Sequence, residues 1–234
     1  MKDRSFPAQQ GNALLIVLIG VALFAALAFA ISSSRTSVVG ATTKEKARVI
    51  ATEMIQYGDA VGSTVNKLLL VGGAKFTGSS DTSPSFYTTG VSTDYQTGGP
   101  ANFEVFSMSG GGLAHQDPPQ GACLSSCAYD FTAGVYLKGI GDDGKDDLAM
   151  VVRDVDPQVC TMINEVQKNG WSSTPSGDQF PLEVFSGINF CDVGGCGETH
   201  YFTGDAAFDR KKSFCYQEAG GAQRYVFVHV VRSR

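Results

Sequence analysis

Hydrophobic residues follow three regimes along this chain. Across 13–31 nearly every position is apolar, 19 residues of Ala, Leu, Ile, Val and Phe with a single Gly, and no charge occurs between Arg4 and Arg35. From Ala47 onward the apolar positions thin out to Ala47, Ile50, Met54, Tyr57, Val61, Val65, Leu68 and Leu69. Steps of three or four residues put these on one stripe of a helix. Lys44, Glu45, Lys46, Arg48, Glu53, Asp59 and Lys67 decorate its other faces. No proline lies between Pro7 and Pro84, so the pattern predicts one continuous helix ending at Gly72-Gly73. Gly40, Gly58 and Gly62 are weak points that could bend it, each costing about 1 kcal/mol relative to Ala.

The third regime is a chain of short β-like runs after a Gly/Ser/Thr-rich loop over 72–100. These runs are NFEVFSM (102–108), AYDFTAGVYLK (128–138), DLAMVVRDV (147–155), PLEVFSGINF (181–190) and RYVFVHVV (224–231). In the last, Tyr225, Phe227 and His229 alternate with Val226, Val228 and Val230, the period of a strand. One short helix is signalled by Asp156 as N-cap, Pro157 at its first position and Gly170 as stop. Val159, Met162, Ile163 and Val166 share its apolar face, and Trp171 is expected over its end. Helix first and strands later predict an α+β fold, the long helix packed on an antiparallel sheet.

Composition sharpens this picture. The chain has 234 residues and a net charge of -5, without the basic patch that nucleic-acid binding needs. Six cysteines, Cys123, Cys127, Cys160, Cys191, Cys196 and Cys215, all follow the apolar run. An even set of this kind points to disulfides in an oxidising compartment, with the pairing left open. The apolar run 13–31 would form a helix of roughly 28 Å, enough to cross a hydrocarbon core. Lys2 and Arg4 before it would leave the N-terminus in the cytoplasm and the rest outside. Two other readings are a plain anchor and a secretion signal cut at Ala28-Phe29-Ala30.

The stretch QQGNALLIVLIGVALFAALAFAISSSR, 9–35, resembles the N-terminus of type IV prepilins and type II secretion pseudopilins. The resemblance covers about 60 residues, through the helix that follows. It implies a cytoplasmic leader, 1–11, cut after Gly11 by a prepilin peptidase, with Asn12 as first mature residue. It also implies a pilin-like fold, with a helix over 12–71 and an exported domain, 72–234, riding on its outer half. Two positions depart from the family: Asn12 stands where Phe or Met is usual, and Ile16 where most members carry Glu. That Glu is thought to pair with a neighbour's terminal amine, so its omission resembles a minor subunit at a filament tip. The implied partners are other pilin or pseudopilin subunits, membrane lipid, the peptidase and an inner-membrane assembly platform.

Candidate chemistry is sparse. Asp142, Asp143, Asp146 and Asp147 crowd a Gly-supported turn, oxygen ligands of the type Ca²⁺ takes, at a spacing unlike an EF-hand. The bland reading of the same residues is an acidic hairpin turn. Cys191, Cys196 and His200 with Cys215 could be drawn as a zinc site, although an oxidising compartment favours disulfides. The three histidines, His115, His200 and His229, belong to no H-E-x-x-H motif, and G-x-S-x-G and P-loop patterns are absent from the sequence, so no enzyme activity is expected. The sequence therefore predicts a structural filament subunit, with a disulfide-held extracytoplasmic binding module as the rival.

Overall fold

The computed structural model describes residues 12–75, 83–86, 100–135, 137–141, 147–171, 173–177, 206–219 and 224–233. It divides into two units, Met1–Glu45 and Lys46–Arg234. Helix α1 runs Asn12–Leu70, 59 residues. Its end is set by Gly73, whose φ of 77° belongs to the left-handed region, and by Val71 and Gly72 N–H groups donating to the Lys67 carbonyl. That is the geometry of a glycine-assisted C-terminus.

The second unit is built on a five-stranded sheet in the order β1-β2-β5-β4-β3. The strands are β1 (Asp130–Val135), β2 (Asp147–Val152), β3 (Ser176–Gly177), β4 (Ser213–Glu218) and β5 (Tyr225–Arg232). Helix α2, Pro157–Val166, lies between β2 and β3 in sequence. Its N-terminus is closed by the Asp156 carboxylate, which accepts from the Gln158 and Val159 N–H groups, satisfying two otherwise orphaned donors.

Both faces of the sheet are buried, and strand alternation sorts residues between them. Leu148, Met150, Val152, Cys215, Phe227 and Val231 join the cluster containing the α1 stripe and α2. Ala149, Val151, Phe214, Tyr216, Val226, Val228 and Val230 form a second cluster with Leu137 and Phe208. Ala47, Ile50, Met54, Tyr57, Val61, Val65 and Leu68 of the predicted stripe are buried, with Leu69 partly so. Burying each large member stabilises the unit by about 1.5–3 kcal/mol.

The expected fold class needs correction. Among the described residues no helix is long and apolar enough to cross a membrane, which overturns the membrane-spanning part at 13–31. Region 43–70 carries Lys44, Glu45, Lys46, Arg48, Glu53, Asp59 and Lys67, charges that lipid would oppose. The sheet is also mixed, because β3 pairs with β4 in parallel.

Smaller departures have local causes. The run NFEVFSM is no strand: Ala101–Phe103 is a single 3-10 turn, and Glu104 makes only an isolated bridge to Ser85. Its backbone groups are satisfied across a compact loop, with Gly111 N–H on the Glu104 carbonyl and Leu113 N–H on that of Val105. Cys160 bonds to Cys215 and so ties α2 to a strand of the sheet instead of to a loop. Closing a segment of 55 residues removes about 4 kcal/mol of unfolded-chain entropy in the simplest model. Cys123 and Cys127 form the second bridge. The run 181–190, Cys191 and Cys196 lie outside the described residues.

Gly58 and Gly62, expected as bending points, do something else. A Cβ on Gly58 would stand 2.6 Å from the His229 ring, and one on Gly62 would stand 2.7 Å from the Val231 carbonyl oxygen. One helical turn apart, they let α1 lie directly against the backbone of β5. Gly58→Ala and Gly62→Ala should each destabilise the second unit by about 1–3 kcal/mol despite better helix propensity. Urea unfolding followed by Trp171 fluorescence measures this. Gly20→Ala, where nothing lies within 4 Å, should leave the midpoint unmoved.

Candidate functional site

Where α1 meets the sheet, three polar side chains form a chain. His229 on β5 faces Ser213 on β4, its antiparallel register partner, and Ser213 Oγ lies 2.5 Å from His229 Nδ1. On the other side His229 Nε2 stands 3.5 Å from Asp59 Oδ1, and Lys212 Nζ donates to the same oxygen at 2.7 Å. A neutral imidazole fits the short contact, with Ser213 donating to Nδ1, while the buried Nε2 has no hydrogen-bond partner among the described residues and stands 3.5 Å from the carboxylate.

Serine, histidine and aspartate in line are the parts of a hydrolase, but here they are closed to substrate. Ser213 is 2 % exposed and His229 1 %, and neither lines a described cleft. Burial, followed by the nearby Lys212 ammonium, lowers the His229 pKa to about 4, and the Asp59 carboxylate offsets only part of this. A base that weak is poorly matched to proton transfer at neutral pH. The arrangement acts as a latch: it gives the buried ring a hydrogen bond while Gly58 makes room for it.

A second polar seam reinforces the docking. Tyr57 packs against Tyr129 in a tilted pair, 4.6 Å between centroids, and its hydroxyl accepts from the Gln116 N–H. Burial pushes the Tyr57 phenol up to about 12.

Two clefts open on the second unit. One, of about 280 Å³, is lined by Ser126, Cys127, Ala128, Asp130, Arg153, Asp154 and Arg224. Its charges face each other, Arg153 to Asp130 at 3.6 Å and Arg224 to Asp154 at 3.8 Å, so it offers an incoming ion little. The other, of about 570 Å³, lies between α1 and the turn that follows α2, with Arg48, Lys168 and Trp171 on its walls.

In the first unit the notable feature is an uncovered apolar surface. Val17, Leu18, Ile19, Val21, Leu23 and Phe24 of α1 are all exposed, Phe24 to 74 %. Eight consecutive residues at about 100° each pass twice around a helix axis, so every face here is apolar. No family model, curated protein or solved structure matches the chain.

The residues singled out by sequence fare unevenly. Gly11, Asp142, Asp143, Asp146 and His200 lie outside the described residues, and Asn12 opens α1. Asp147 is fully buried at the start of β2, opposite Val135. No group of three His, Cys, Asp or Glu side chains that could hold a metal occurs among the described residues. Cys215 is engaged with Cys160 and is lost as a zinc ligand. Trp171 packs edge-on to Phe208 and Phe214 on the second cluster, not over the end of α2. Sequence reading missed the Ser213–His229–Asp59 latch, whose members are far apart in the chain. The alternation placing His229 beside Phe227 on the inward face was its one signal.

The latch carries a pH dependence. In the unfolded chain His229 titrates near 6.5, whereas folding lowers it to about 4. Between those values the unfolded chain binds the extra proton, so stability is full above about pH 6.5 and falls as pH drops toward 4. The loss should reach about 3 kcal/mol. Denaturant titrations from pH 7 to pH 4.5 should show this slope, and His229→Asn, which keeps a partner for Ser213, should flatten it.

Proposed function

We propose that this chain is a structural subunit that assembles with further copies or related subunits through the apolar start of α1, in the manner of type IV pilus or pseudopilus components. One observation carries the reading: the uninterrupted, all-round apolar surface over 17–24, exposed in the lone chain. A helix apolar on every face is stable in water only when something covers it. Leaving six large aliphatic and aromatic side chains uncovered forgoes on the order of 10 kcal/mol of burial. Equivalent segments of neighbouring subunits, packed helix against helix, would recover it.

The docking of 47–68 onto the sheet fits this role. It fixes the amphipathic part of α1 to the second unit and leaves the apolar part for assembly. The likeness of 9–35 to prepilin N-termini supports the same reading and adds a maturation step, cleavage after Gly11 by a prepilin peptidase. The disulfides accord with an exported location.

Sedimentation of the full chain purified from its native source tests the proposal. Wild type should sediment as large assemblies, and the double variant Val21→Arg/Phe24→Arg should shift to single subunits with an unchanged unfolding midpoint for the second unit. A variant that assembles like wild type, or a wild type that remains single, overturns it. Intact mass should show a start at Asn12, and a chain uncut at Gly11 would remove the pilus-type maturation.

A further inference from the structure

The larger cleft differs from its surroundings in charge. The chain carries a net charge of -5, yet among the described lining residues Arg48 and Lys168 bring two cations to this cleft against one carboxylate, that of Glu165. Neither cation forms an ion pair among the described residues, in contrast to the matched pairs of the smaller cleft. Thr161, Ser173 and Thr174 add hydroxyls, and Trp171 adds an indole. A volume of about 570 Å³ falls within the usual span of small-ligand clefts, about 300–1,000 Å³.

The walls are held rigidly. Asn164 is fixed by its amide donating to the Cys215 carbonyl and its side-chain oxygen accepting from the Cys215 N–H. Asn169, buried beneath the turn, donates to the Asn164 side chain and the Ser213 carbonyl. Lys211 donates to the Asn169 carbonyl. Between these anchors Lys168 has a φ of 53°, a conformation that favours glycine and costs a side-chain-bearing residue roughly 1–2 kcal/mol. A lysine kept where glycine would fit better points to a use for its ammonium.

We propose that this cleft binds an anionic saccharide, a uronate-bearing oligosaccharide being the simplest form. The cations receive the carboxylate, the half-buried Trp171 indole, with Lys211 Nζ 5.9 Å from its ring centroid, adds an aromatic contact for a sugar ring, and the hydroxyls with Glu165 supply both donors and acceptors for ring hydroxyls. A bare phosphate would meet the opposing Glu165 carboxylate. An acidic peptide would find no aliphatic side chain among the described lining residues to receive its own apolar groups. The proposal does not depend on filament assembly.

Trp171 is the chain's one tryptophan, so its emission reports on the cleft directly. A galacturonate trisaccharide titrated into the full chain should produce a saturable change, weakened tenfold or more at 500 mM salt. Lys168→Gly and Arg48→Gln should each weaken it at least tenfold. Lys168→Gly should also melt no lower than wild type, because glycine suits that backbone, which separates lost binding from lost folding. Absence of a saturable change overturns the proposal, as does wild-type affinity in both variants. An equal response to the neutral galactose trisaccharide or to triglutamate also overturns it, by removing the charge requirement or the saccharide.

Discussion

The second unit depends on the contact between one stripe of α1 and strand β5. Hydrophobic burial drives it, but the approach distance decides its form. With side chains at positions 58 and 62, the helix would have to stand off from the strand and the buried imidazole would lose its place. Gly58 and Gly62 weaken the helix in isolation, yet Gly58 admits the His229 ring and Gly62 lets the helix approach the strand backbone closely. The latch then adds direction to a contact that burial alone would leave free to slide. Register follows from it, because Ser213 and His229 are already paired across the sheet.

Much of this was legible in the order of the residues. The three- and four-residue steps from Ala47 to Leu68 name the buried face of α1 almost residue by residue, because a helix on a sheet has one wet side and one dry side. The β5 alternation is equally transparent. Asp156 and Pro157 mark the start of α2 because capping is decided within one helical turn. Strand β4, SFCYQE, escaped notice: half its positions are polar, and its burial comes from partners on both sides. The run 102–108 misled in the opposite direction, since its aromatics anchor a loop whose backbone bonds are made locally.

The site was harder to read, for a reason of distance. Asp59, Ser213 and His229 are joined only by tertiary packing, and even once joined their residue types suggest the wrong chemistry. Exposure decides between hydrolase and latch, and sequence carries little information about exposure of a serine or a histidine. Arg48 and Lys168 pose the same problem. Each reads as an ordinary surface charge until the fold sets both on one cleft beside Trp171.

The Cys160–Cys215 bridge bears on more than stability. It closes the ends of a long stretch of chain between α2 and β4, so a peptide bond broken anywhere inside that stretch leaves both fragments covalently attached.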